Sequence, residues 1–130
     1  MFAAIARLWA ATGVANPARG DTFAAVAATL RHGARLFTVR VGRRIAGVCW
    51  LTNDGRRLYL HHMAVAPADQ GRGYGALLLD AALAYARASC LQIKLEVHRD
   101  NHAARRLYLR HGFTSLGDYD VLILRETGAG

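Results

Sequence analysis

Three glycines stand close together in Gln70-Gly71-Arg72-Gly73-Tyr74-Gly75, directly ahead of the helix-forming run ALLLDAALAYARAS. A glycine carries no Cβ, so backbone N–H groups stay open to a ligand there, and the start of a helix adds partial positive charge. Such a turn can hold a pyrophosphate, and Arg72 can add a charge-assisted hydrogen bond. A plain turn before a helix would use the same glycines. The loop is neither a dinucleotide fingerprint nor a Walker loop, because Gly-x-Gly-x-x-Gly is absent and no Gly-Lys-Ser/Thr follows.

Chemistry at these positions needs elements that bring them together. Phe2, Ile5, Leu8 and Trp9 recur at helical spacing, and after NPARGD a second helical face follows in Phe23, Val26, Ala27 and Leu30, ending at Gly33. Residues 36–41, 45–52 and 58–65 read as strands, with Asn53-Asp54-Gly55 as a hairpin signal. The glycine loop then opens a long helix over 76–89. Residues 91–98, LQIKLEVH, alternate cleanly between apolar and polar, as a strand does. Asp100 or Asn101 can cap a helix through HAARRLYLR to Gly112, and 113–124 read as a final extended hairpin. The order αα, βββ, α, β, α, ββ predicts an α+β fold, with a mixed, mostly antiparallel sheet flanked by helices in one domain spanning 1–130.

The chain has 130 residues, 53% of them hydrophobic, enough for one sizeable core but not two. Its 17 basic side chains, all Arg except Lys94, outnumber 9 acidic ones. That excess invites an anionic partner without choosing among nucleic acid, a lipid surface and a phosphorylated small molecule. No apolar run reaches the roughly 18 nearly uncharged residues of a membrane helix. The start, MFAAIARLWAATGVANPA, lacks a basic first segment and carries Arg7 within its apolar stretch, so it is expected to be part of the fold. Cys49 and Cys90 are expected as two buried, reduced thiols. Adjacent strand residues face opposite ways, so His61 and His62 should diverge, and no metal site is expected.

The stretch Gln70 to Gly75, lying between the apolar strand LYLHHMAVAP and the long helix, resembles the (Arg or Gln)-x-x-Gly-x-(Gly or Ala) signature of the GCN5-related N-acetyltransferases. The resemblance continues through KLEVHRDNHAARRLYLRHGF and is greatest to the subgroup that acetylates the N-termini of ribosomal proteins. It implies acetyl-CoA as acyl donor, direct transfer to an amine, and no metal. It further implies that Gln70, Gly71, Arg72, Gly73, Tyr74, Gly75 and Ala76 hold the pyrophosphate, and that Met63, Ala64 and Val65 pair their backbone with the pantetheine arm. The Val65 amide would also polarise the thioester. Asn101 is implied as a further cofactor contact, compatible with a capping role. Tyr108 is implied as the acid for the departing thiolate and Glu96 as the base, with His61 and His62 as competitors for that task.

Members of this family begin with a strand before the first helix, whereas Met1 leads here straight into helical periodicity. A sheet edge left open would favour pairing with another chain, so a homodimer is expected. Acceptor choice should lie in the first two helices, their connection (Arg19, Asp21, Arg31, His32) and the last hairpin. The protein is expected in the cytoplasm. Two rivals remain: a silent acyl-CoA sensor that keeps the loop without turnover, and a nucleic-acid-binding module. The second is disfavoured because the arginines are spread out and no helix-turn-helix or aromatic-interleaved basic motif is present.

Overall fold

The computed structural model describes residues 1–15 and 20–128, which leaves the expected contact Arg19 outside the described residues. Two helices, α1 (Phe2–Thr12) and α2 (Phe23–Leu30), precede three strands, β1 (Arg35–Val41), β2 (Arg44–Asn53) and β3 (Leu58–Val65). A 3-10 turn at Pro67–Asp69 leads into α3 (Tyr74–Ser89), followed by β4 (Ile93–Leu95) and α4 (His102–Arg110). The sheet order is β1-β2-β3-β4, antiparallel except for the parallel pair β3-β4, which α3 connects. Among the described residues no strand precedes α1, and β1 has β2 as its sole sheet neighbour. The expected α+β fold and mixed sheet are therefore present.

Each sheet face carries its own core. Cys49, Leu51, Leu58 and Leu60 pack with Leu78, Leu79, Ala82 and Tyr108 on the α3 and α4 side. Val48, Trp50 and Ala64 pack with Ile5, Leu8, Trp9 and Val26 on the α1 and α2 side. Coverage of both faces explains why β2 is buried without interruption from Ala46 to Leu51, where a half-exposed strand would alternate. In β3 the even-numbered Leu58 and Leu60 face α3, yet the even-numbered Ala64 faces α1. The reversal lies at His62, which has φ 52° where the β2-β3 register slips between Val48 and Trp50. An inserted residue of this kind turns everything after it to the other face.

Three expectations are corrected. Residues 113–124 form no hairpin: beyond Phe113, which packs on the core, Leu116, Tyr119 and Val121 to Leu124 are all exposed. The strand expected at 91–98 extends only over Ile93–Leu95, and an edge this short offers a following segment few ladder partners. Cys90 is exposed rather than buried, because it ends α3 in a left-handed conformation, φ 55°, that turns the chain out of the helix. Cys49 is buried as expected, and burial pushes its thiol up to about 12.

Candidate active site

The glycine loop is arranged by φ and by open space. Gly71 and Gly73 have φ 81° and 83°, and a Cβ on either would meet no atom within 4 Å, so both face an opening. Gly75 serves differently. A Cβ there would come within 3.2 Å of Leu107 Cδ2, so its bareness lets α4 pack against the first turn of α3. The first bond of α3 runs from the Leu77 amide to the Gly73 carbonyl. The amides of Gly71 to Ala76 therefore have no acceptor among the described residues, and Gly73 supplies no side-chain cap. A row of unused donors beside an open space suits an anion.

A cavity of about 310 Å³ lies in front of this row, lined by Val65, Asp69, Gln70, Gly71, Gly73, Tyr74, Gly75, Asn101 and Leu107 among others. Two bonds shape it. Gln70 Nε2 donates to the Val65 carbonyl at 3.1 Å, joining the loop to the end of β3. Asn101 Oδ1 accepts from the Ala104 amide at 3.3 Å, so Asn101 caps α4 and borders the cavity at once. Arg72 is exposed beside the loop.

The loop is braced from beneath by a pair that sequence reasoning missed. Asp69, 1% exposed, receives a two-pronged contact from Arg44, with Nη1 on Oδ2 and Nη2 2.8 Å from Oδ1. The partners are 25 residues apart, and neither lies in a recognisable motif. The hydrogen bond from Arg44, with the charges of Arg44 and Arg72 adding to it, holds the Asp69 carboxyl below the ordinary carboxylate range against the opposing effect of burial. A lowered folded-state value means this contribution is present above the ordinary range and is lost as pH falls. Asp69→Asn is thus expected to lower the melting temperature near neutral pH. Its gap from the unaltered chain should shrink below about pH 4, as measured by circular dichroism in an acid series.

Strands β3 and β4 pair only where Leu58 to Leu60 meet Ile93 to Leu95. Beyond that point they part, leaving His61 to Val65 without a β4 partner. Met63 and Val65 face the α3 core, beside the loop. Glu96 follows the last paired residue of β4 and is exposed, alternating with Leu95 and Val97, which pack on the α3 side. Tyr108 is buried within the α3 core, with its ring 5.7 Å from that of Phe113. Burial, and secondarily Cys49, pushes its phenol up to about 12. The cavity wall thus unites Val65, Gln70, Gly71, Gly73, Tyr74, Gly75 and Asn101, while Met63, Ala64, Arg72, Ala76, Glu96 and Tyr108 lie outside it.

The histidines do not diverge. Because the inserted residue is His62 itself, both rings lie against Trp50, at 5.2 and 5.7 Å, and 6.0 Å from each other. Burial, and then His62, pulls His61 down from its ordinary value, with Asp21 opposing; its Nε2 lies 2.9 Å from Thr52 Oγ1. Among the described residues no cluster has the composition of a metal site, and no helix is long and apolar enough to cross a membrane.

The family profile described as "Acetyltransferase (GNAT) family" matches residues 4–113. The chain belongs to the GNAT acetyltransferases. Among curated proteins, this GNAT chain is 38% identical over 82 residues to the N-alpha-acetyltransferase RimI of Mycobacterium tuberculosis. The match takes in 60% of the chain and 51% of that relative, so it spans about half the relative's length. Solved structures that share its fold include two crystal structures. One, a Staphylococcus aureus protein of unknown function described as a probable acetyltransferase, has a TM-score of 0.75 at 20% identity, covering 95% of this chain and 92% of that one. The other is the ribosomal-protein-alanine N-acetyltransferase of Brucella melitensis, with a TM-score of 0.69 at 21% identity and the same coverage. At such identities the likeness is one of fold.

Proposed function

We propose that this GNAT chain is an N-acetyltransferase, one domain over residues 1–130, that moves an acetyl group from acetyl-CoA directly to a primary amine. The observation that carries the reading is the row of unbonded amides from Gly71 to Ala76, of which Gly71, Gly73, Tyr74 and Gly75 line a cavity that Val65 and Asn101 also border. A loop for the pyrophosphate and a parted strand for the pantetheine arm are what the donor requires. In this reading Gln70 to Ala76 hold the phosphates, Met63 to Val65 offer backbone to the arm, the Val65 amide polarises the thioester carbonyl, and Asn101 adds a contact. Tyr108 protonates the departing thiolate. Glu96, His61 and His62 are the groups near the parted strands able to take the amine proton.

The acceptor is a peptide N-terminus, a lysine side chain or a small amine, and the N-alpha-acetyltransferase among the relatives favours the first. The reaction needs no metal, and the setting proposed is the cytoplasm. A homodimer formed along the open β1 edge belongs to the same proposal; a monomeric mass by light scattering at micromolar concentration would remove it. Thiol release from acetyl-CoA in the presence of a peptide and amine panel, with products weighed by mass spectrometry, tests the activity. Acceptor-dependent release is expected. Binding without release would leave an acyl-CoA sensor, and neither binding nor release would overturn the reading.

A further inference from the structure

Three separate elements converge on His62. The Trp9 indole of α1 donates to the His62 carbonyl at 3.0 Å, holding the inverted peptide in place. Asp21, just ahead of the α2 cap Thr22, places Oδ1 3.0 Å from His62 Nε2. From β2, Trp50 lies 5.7 Å from the ring. His62 and Cys90 are the non-glycine residues with positive φ among those described, and backbone held in such a region concentrates at functional sites. The side chains of His62 and Asp21 are 20% and 17% exposed, sheltered yet reachable.

A carboxylate offers lone pairs alone, so Asp21 fixes the ring proton on Nε2 and leaves the basic lone pair on Nδ1. Nδ1 has no hydrogen-bond partner among the described residues. His62 also adjoins Met63, where β3 has parted from β4. We propose that His62, oriented by Asp21, is the base that takes a proton from the acceptor's ammonium group. The assignment rests on the acetyltransferase reading above and chooses among its three candidate bases. In the step, an N–H bond of the ammonium breaks and its proton joins Nδ1. The freed amine forms a C–N bond to the thioester carbon as the C–S bond breaks. A second proton leaves the nitrogen to replace the one the phenol gives to sulfur, and His62 returns its own to water.

The titratable groups facing His62 are Asp21 from the α1-α2 connection and His61 from β3, while α1 and β2 present Trp9 and Trp50, which do not titrate. His62→Asn suits the test because asparagine tolerates positive φ, and near-unchanged melting identifies a folded variant. At pH 7, kcat with a peptide acceptor is expected to fall about fiftyfold, with KM for acetyl-CoA unmoved. The loss should recover above about pH 8, where a peptide amino group sheds its proton unaided. Asp21→Asn should fall about tenfold with the same recovery, and Asp21→Glu should restore part of it. A His62→Asn profile matching that of the unaltered chain, or a pH-rescued loss in Glu96→Gln instead, overturns the assignment alone. An unaltered chain that acetylates no amine at any pH removes the acetyltransferase reading together with it.

Discussion

Gly73→Val is expected to weaken acetyl-CoA binding by at least about a hundredfold. Gly73 sits at φ 83°, ψ 9°, a conformation a β-branched residue adopts only under strain, at a cost of about 1–3 kcal/mol. If the unbound loop relaxes out of this conformation, regaining it on binding costs that strain, a factor of roughly five to a hundred and fifty in affinity. A second effect adds to it, because a side chain would project into open space that the proposed reading gives to the phosphates. Relaxation of the backbone would avoid the strain by turning the amides of Tyr74 and Gly75 away from the cavity. Helix α3 itself should survive, since Leu78, Leu79 and Ala82 anchor it to the sheet. Calorimetry measures the affinity, and a retained affinity would sink the assignment of this loop to the phosphates.

Tyr108→Phe should separate catalysis from stability. Turnover is expected to fall about a thousandfold, within the range for loss of a positioned acid, while acetyl-CoA affinity holds. Stability should stay level or rise, because the phenol hydroxyl has no hydrogen-bond partner among the described residues and the ring keeps its packing on Phe113. With the phenol pushed up to about 12, it keeps its proton throughout the neutral range, as the proposed acid role requires. The neutral form is favoured by folding, so this contribution to stability is present at neutral pH and is lost as pH climbs from 10 towards 12. Unchanged turnover in a folded variant would remove Tyr108 from the mechanism. A parallel fall in melting temperature would mark it as a packing residue.

Much of this architecture is written in local pattern. The spacing of Ile5, Leu8 and Trp9, the turn at Asn53 to Gly55 and the glycines before α3 each act within a few residues, so helix, hairpin and loop could be read directly. What escaped is what long-range contact decides. The pairing of Arg44 with Asp69 spans 25 residues, and that of His62 with Asp21 spans 41. Neither pair has a spacing that a motif could encode. The slip at His62 escaped for a related reason: an inserted strand residue is chosen by the partner strand, and LYLHHMAV reads as one continuous extended run. At the other end, Val121 to Leu124 has the composition of a strand, but extended structure needs a neighbour to bond with, and β4 is three residues long.

The left-handed turn at Cys90 gives the protein a reporter position. Helix α3 has 16 residues, so at about 1.5 Å per residue its two ends lie about 24 Å apart. The glycine loop occupies one end and an exposed thiol the other, while the second thiol is buried and held protonated. A maleimide fluorophore would therefore attach at Cys90 in the native protein without entering the cavity. Energy transfer from that dye to a fluorescent CoA analogue would then read donor occupancy in real time, along a helix that serves as its own ruler.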